Sequence, residues 1–297
     1  MSEYTGIRVA APAKVNLYLK VVGKRPDGYH NLVSVMQALE LADIVEVYRA
    51  DPGVIEVDCD VPGVPAGPGN IAYRAAESLL RASGSTRGVR IHITKNTPMA
   101  AGLGGGSSDA AAALRAVDLL FELSTSAETM HGLATALGAD VPFFLGWPTS
   151  LARGIGEELS ELVPPAETWL LLVNPGIAVP TKWVYDNLNL GLTNNLNSTT
   201  LPPFVGCPLT DGPMLSFLHN DLESVTLGRH PVIKEIKDRL SELGAAGSMM
   251  SGSGPTVFGI FRSREDAERA AGGVKGEGWR VIPTRTLARW PEPEFIS

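Results

Sequence analysis

The chain has 297 residues, 44% of them hydrophobic and 19% charged, a balance that excludes a disordered polymer and supplies apolar material for two moderate domains. A formal net charge of −7 excludes general affinity for nucleic acid or an anionic membrane, so any phosphorylated ligand has to be held by local groups. Cys59 and Cys207 lie far apart and show no paired spacing, so neither a zinc cluster nor a disulfide framework is indicated, and no apolar run is long enough for a signal peptide or a bilayer span, which fits a reduced cytoplasmic setting.

In residues 13–22, Val15, Leu17, Leu19 and Val21 alternate with Lys14, Asn16, Tyr18 and Lys20, the period of a strand with one polar face. Lys14 and Asn16 therefore point the same way. The Pro-Asp-Gly in Gly23-Lys-Arg-Pro-Asp-Gly-Tyr-His30 makes a turn, either a hairpin tip with incidental charges or a clamp in which Tyr29 stacks on a planar ligand and His30 hydrogen-bonds it. Residues 32–39, 43–48 and 54–58 read as further strands, and 62–69 as a loop. Asn70 caps a helix over 71–82 and could also reach a nucleotide.

A strand over 89–94 then leads into Pro98-Met99-Ala100-Ala101-Gly102-Leu103-Gly104-Gly105-Gly106-Ser107-Ser108-Asp109 and a run of alanines. This pattern predicts a loop becoming a helix, with Ser107 or Ser108 as N-cap. Without Cβ atoms the glycines let backbone N–H groups converge on an anion, and the helix adds its own unpaired N–H groups and dipole at the same point. In Gly138-Ala-Asp-Val-Pro-Phe-Phe144, Asp140 is either an N-cap ahead of Pro142 or a carboxylate base. Apolar surroundings favour the base unless a cation such as Lys14 restrains it.

Residues 150–157 read as a strand entering a turn, and Pro164-Pro165 marks a boundary between domains 1–163 and 164–297. A strand over 169–173 ends in a loop that carries Trp183 towards a helix, where simple packing is the first reading of its ring. Residues 187–211 form a polar excursion, 219–223 begin or lie in a helix, and 231–243 form an amphipathic helix with Ile233, Ile236 and Leu240 inward. A second glycine-serine turn over 247–256, a strand over 257–261, a helix over 264–271 and a final strand over 279–286 complete an α+β second domain.

Three stretches in order, Pro12-Ala-Lys-Val-Asn-Leu17, Pro98 to Ala110 and Gly247-Ser-Met-Met-Ser-Gly-Ser-Gly-Pro255, resemble the GHMP kinase superfamily over essentially the whole chain. The resemblance implies an α+β fold of two domains with the active site in the cleft between them. It also implies ATP and Mg²⁺ as cofactors, without a Walker A loop or a Rossmann fingerprint, and both patterns are absent here. By the match, Pro98, Met99, Ala100, Ala101, Gly102, Leu103, Gly104, Gly105, Gly106, Ser107 and Ser108 wrap the ATP phosphates. Asn70 and Lys95 border the nucleoside, and Ser108 lies near Mg²⁺. Asp140 is the general base with Lys14 as its charged partner.

Arg25 to His30, Gly138 to Phe144 and Asn174-Pro-Gly-Ile-Ala-Val-Pro-Thr181 narrow the resemblance to a branch whose acceptor is a cytidine-diphosphate-linked methylerythritol, phosphorylated on its tertiary 2-hydroxyl. Asn16, Tyr29, His30, Asp140, Thr181 and Trp183 would contact that small-molecule acceptor. The partners expected are that substrate alone, with no nucleic acid and no membrane, and the chain is expected as a monomer or weak homodimer because no heptad asks for a partner. Two other readings stand beside this one. One keeps the superfamily with mevalonate, homoserine or a sugar as acceptor, and the other is a nucleotide-binding regulator without catalysis.

Overall fold

The computed structural model describes residues 4–189 and 207–297, so most of the excursion expected over 187–211 lies outside the described residues. The first sheet is founded on two long strands, β1 (Gly6–Lys24) and β2 (His30–Ala50), joined by a turn in which Arg25 N donates to Tyr29 O at 2.7 Å. The sequence suggested two separate strands, over 32–39 and 43–48, within β2. They are one strand because the ladder with β1 slips between Pro12 and Lys14 instead of ending. A bulge of this kind bends a strand without breaking it.

After β2 come β3 (Ile55–Cys59), α1 (Ile71–Ala82), β4 (Gly88–Thr94), α2 (Gly105–Phe121) and α3 (Ala127–Leu137). A single 3₁₀ turn, Pro142–Leu145, leads into β5 (Thr149–Arg153) and β6 (Glu158–Glu161). The second half contains β7 (Trp169–Asn174), α4 (Thr181–Asp186), α5 (Gly212–Phe217), β8 (His219–Asn220), α6 (Glu223–Arg229), α7 (Pro231–Glu242), β9 (Gly247–Met250), β10 (Val257–Phe261), α8 (Arg264–Gly273), β11 (Arg280–Arg285) and β12 (Glu294–Ile296).

The first sheet runs β12-β1-β2-β4-β3, with β5 and β6 added beside β2 and β8 beside β1; the second runs β11-β7-β10-β9. Both sheets and their helices bury three apolar clusters. Val45, Val47 and Ile91 face α1 and α2 through Leu79, Leu114 and Val117. Val15, Leu17 and Val35 meet Leu172, Phe258 and Ile260 between the sheets, and Ile233, Ile236 and Leu240 of α7 cover the far side of the second sheet as their spacing predicts. Leu39 bridges to Thr286, and Leu41 N donates to Thr284 Oγ1 at 3.0 Å, which ties the bulge of β2 to the second sheet.

Three sequence expectations change. Residues 219–220 pair with Tyr18 and Leu19 as a short parallel strand, and the helix starts only at Glu223. Residues 247–250, expected in the glycine-serine turn, pair with β10, so the turn begins at Ser251. The strand over 280–285 is not the last: β12 returns to the first sheet and pairs with β1, Gly6 opposite Ile296. Among the described residues no helix is long and apolar enough to cross a membrane.

Candidate active site

A cleft of ≈1350 Å³ opens between the sheets and takes its floor from the loop between β4 and α2. Two backbone ties hold that loop. Lys14 N donates to Leu103 O at 2.9 Å, and Ser251 Oγ of the second glycine turn donates to Gly102 O at 2.9 Å. Gly102 and Gly104 have φ of 75° and 73°, the left-handed region that favours glycine. A Cβ on Gly104 would lie 2.8 Å from Phe144 Cζ and 3.1 Å from Lys14 Cγ, and one on Gly102 would strike the carbonyl of Ser251. The loop thus has to be bare backbone where it passes the lysine and the opposite turn.

Of the loop residues expected at the phosphates, Pro98, Met99, Ala100, Ala101, Gly102, Gly104, Gly105, Gly106 and Ser107 line the cleft. Leu103 and Ser108 do not. Leu103 is buried between the sheets and anchors the loop. Helix α2 starts at Gly105 with Gly104 as cap, so neither Ser107 nor Ser108 is the N-cap; both stand inside the first turn. The helical rotation of about 100° per residue puts Ser108 under the helix, where it lines a separate small cavity with Phe144 and Trp290 and its hydroxyl has no hydrogen-bond partner. Ser107 is the serine that lines the cleft, whereas Ser108, expected near Mg²⁺, does not line it. Among the described residues no group of three or more His, Cys, Asp or Glu is placed to hold a metal ion.

Lys14 and Asp140 come together in the cleft, with Nζ 3.6 Å from Oδ2. Lys14 is 4% exposed, and its ammonium also donates to Asn16 Oδ1 at 2.7 Å. Asp140 does not cap the 3₁₀ turn, whose cap is Val141 with no side-chain bond, so its carboxylate stays available to the cleft. A buried ammonium beside a carboxylate that reaches solvent is an arrangement able to accept a proton and offset the negative charge left behind.

Beyond this pair, His30 is buried and stacks on Tyr185 with ring centres 5.2 Å apart, while Tyr29 is 61% exposed at the cleft rim. Burial, then the charge of Lys24, lowers the His30 pKa against the opposing pull of Asp186, which keeps the ring neutral near pH 7. Burial, then the Asp140 charge, raises the Tyr185 pKa, so the phenol keeps its proton. Trp183, expected against the base, does not line the cleft: it packs in the cluster beneath α4 with Arg229 4.9 Å above its ring, and Tyr185 is the aromatic of α4 on the cleft. Thr181 lines the cleft and shares a 2.8 Å hydrogen bond with Ser253.

Asn70 lines the cleft too, yet its side chain is engaged as a cap: Oδ1 accepts from Ala72 N at 2.8 Å and Nδ2 donates to Pro65 O at 2.9 Å. Lys95 also faces the cleft, held between Asp43 and Asp109, with Nζ 2.8 Å from Asp109 Oδ2. Burial opposes its charge, but the two carboxylates outweigh this and raise its pKa. The Asp109 carboxyl is pushed up to about 7 by burial; Lys95 opposes the shift and Asp43 adds to it. Sequence reasoning missed Asp109, Tyr185 and Ser253. Asp109 directly follows the two serines, and its only signal was a carboxylate at the entrance to an alanine helix.

A family model described as "GHMP kinases N terminal domain" matches residues 70–146, and one described as "GHMP kinases C terminal" matches 212–279. The chain is 48% identical over 282 residues to a 4-diphosphocytidyl-2-C-methyl-D-erythritol kinase of Geotalea daltonii, covering 95% of this chain and 99% of that protein. It is 49% identical over 284 residues to the protein of the same name from Geobacter metallireducens, again covering 95% and 99%. Among solved structures, a 4-(cytidine 5'-diphospho)-2C-methyl-D-erythritol kinase superimposes with a TM-score of 0.75 at 36% identity, covering 94% of this chain and 98% of that one. A homoserine kinase from Cytophaga hutchinsonii reaches 0.76 at 20% identity, over 100% of this chain and 99% of that one, a likeness of fold alone. The two-sheet α+β architecture, the glycine cradle and these whole-length similarities place the chain in the GHMP kinase family.

Proposed function

We propose that this chain is an ATP-dependent kinase that phosphorylates the 2-hydroxyl of 4-diphosphocytidyl-2-C-methyl-D-erythritol, giving the 2-phosphate and ADP, in the non-mevalonate route to isoprenoid precursors. The observation that carries this reading is the position of Lys14 and Asp140, which share one cleft with the glycine cradle on one side and the His30 and Tyr185 rings on the other. The activity named for the bacterial relatives supports it.

In this reading Asp140 takes the proton of the acceptor hydroxyl as its oxygen attacks the γ-phosphorus, and the bond from that phosphorus to the oxygen kept by ADP breaks. Lys14 offsets charge at the attacking oxygen. The N–H groups of the loop from Pro98 to Ser107 and the start of α2 hold the phosphates, while Asn70 and Lys95 border the nucleoside. Tyr29, His30 and Tyr185 hold the cytosine, with Asn16 and Thr181 beside the acceptor. The residues fit Mg²⁺ in the way phosphate-bound magnesium usually fits a protein, with few side-chain ligands. Ser107 and the bound phosphates would hold it, and it would neutralise phosphate charge. Residues 1–163 then supply the cradle, the base and its partner, and residues 164–297 supply the turn that closes over them.

The test is ADP release with ATP and Mg²⁺, comparing the cytidine compound with mevalonate, homoserine and galactose. Turnover confined to the cytidine compound is expected. Turnover on another acceptor would sink the substrate assignment while keeping the kinase, and ATP binding without turnover on any of the four would favour a regulator.

A further inference from the structure

Asp140 is not the nearest group to the Lys14 ammonium. Asn16 Oδ1 is, at 2.7 Å against 3.6 Å. Asn16 Nδ2 in turn donates to Ser34 Oγ at 2.8 Å, and Ser34 Oγ donates to the Tyr18 carbonyl at 2.7 Å. Lys14, Asn16 and Ser34 are all buried, at 4%, 4% and 1% exposure.

The chain of bonds has only one consistent direction. A serine hydroxyl carries a single proton, and here it goes to the Tyr18 carbonyl, which leaves the Ser34 oxygen as an acceptor. The Asn16 amide must then turn its NH₂ towards Ser34 and its oxygen towards Lys14. Were the amide reversed, NH₂ would face an ammonium, donor against donor, in a place water does not freely reach.

The local fold makes this contact. The β1–β2 ladder slips between Asn16 and Tyr18, so that Asn16 stands opposite Met36 but Ser34 stands opposite Leu19. The second glycine turn lies over the same spot: a Cβ on Gly252 would be 3.4 Å from Asn16 Oδ1 and 3.6 Å from Lys14 Nζ.

We propose that Ser34 is a positioning residue for phosphoryl transfer, fixing the Asn16 amide so that its oxygen holds the Lys14 ammonium in place beside Asp140. The proposal rests on the role given to Lys14 above. Ser34 touches no reacting atom in this account; it sets which way Asn16 faces. Loss of the hydroxyl frees the amide to turn and the ammonium to drift, an error of position that costs turnover more than binding.

The experiment measures kcat and both KM values, with ATP and the cytidine acceptor, for the full chain and for Ser34→Ala, Ser34→Thr, Asn16→Ala, Lys14→Ala and the Asn16→Ala, Ser34→Ala double variant. Ser34→Ala is expected to lower kcat roughly 10- to 100-fold while both KM values stay within about twofold. Ser34→Thr restores kcat, and removal of Ser34 in the Asn16→Ala background has no further effect, the mark of one residue acting through the other. Unchanged kcat in Ser34→Ala overturns the proposal. So does an equal loss in both backgrounds, a loss confined to KM, or a threonine variant as slow as the alanine one. If Ser34→Ala does not fold, Ser34→Cys keeps the volume with a weaker hydrogen-bonding group and reads the same relay. Full activity in Lys14→Ala would overturn the reading of Lys14 itself. Loss there with normal Ser34→Ala would overturn only the relay.

Discussion

Lys14 and Asp140 form an unequal pair: the lysine is buried within the first sheet, whereas the side chain of the aspartate 3.6 Å away is 38% exposed and faces the cleft. The ammonium is thereby fixed while the carboxylate remains open to a ligand. Removing the carboxylate leaves Lys14 its bond to Asn16, so the site keeps its form.

Asp140→Asn is accordingly expected to lower kcat by roughly 10²- to 10⁴-fold with little change in ATP affinity. Steady-state rates together with nucleotide titration by calorimetry check both halves. Near-normal turnover would remove Asp140 from the chemistry.

Asp109 makes stability depend on pH. Its carboxyl titrates at about 7 in the folded chain against an ordinary 3.8, so between those values the folded state holds a proton that the unfolded state has released. Stability from this group is therefore present at low pH and declines as pH rises through about 7. The melting advantage of Asp109→Asn over the parent should grow from about pH 4 to about pH 7 and level off above that, at about 3–6 °C by pH 8.5. Thermal melts across that range test it, and a difference independent of pH would contradict the assignment.

Gly104→Ala combines a left-handed φ with a Cβ against Phe144 and Lys14. A loss of about 1–3 kcal/mol and a raised KM for ATP are expected, read by urea unfolding and by kinetics. A variant with parental values of both would show that the loop moves aside freely.

The two aromatic residues of α4 should separate. Tyr185→Leu, at the cleft and stacked on His30, is expected to raise the acceptor KM about tenfold, the order of one aromatic stacking contact, and His30→Ala to do likewise, with the KM for ATP unchanged in both. Trp183→Leu, under Arg229 in the core of the second half, should instead lower the melting temperature and leave the acceptor KM alone. Kinetics and melts on the three variants distinguish the roles.

Local features were legible in the chain because local rules govern them. The Asn70 cap, the Pro-Asp-Gly hairpin and the inward face of α7 depend on residues within a few positions of one another. Residues that a motif singled out, the glycine loop and Lys14, do line the cleft. Helical phase hid the rest: residues two apart on α4 point to different sides, so Tyr185 and not Trp183 meets the cleft, and one residue of rotation separates Ser107 from Ser108. Bulges hid more. Strict alternation puts Tyr18 beside Lys14 and Asn16, but the slip after Asn16 sends its ring to stack on Phe217, 4.6 Å away, and brings Leu19 to the cleft instead. The Asp43, Lys95 and Asp109 cluster joins three separate segments, and nothing short-range announces it.

The pairing of β12 with β1 has a consequence for synthesis of the protein. The partner of Gly6 is Ile296, so during translation the edge of β1 from Gly6 to Arg8 stays uncovered until residues 294–296 have left the ribosome. An uncovered strand edge invites pairing with other chains. That flank of β1 waits for β12, made long after it, and that interval is when a holdase chaperone has most to protect.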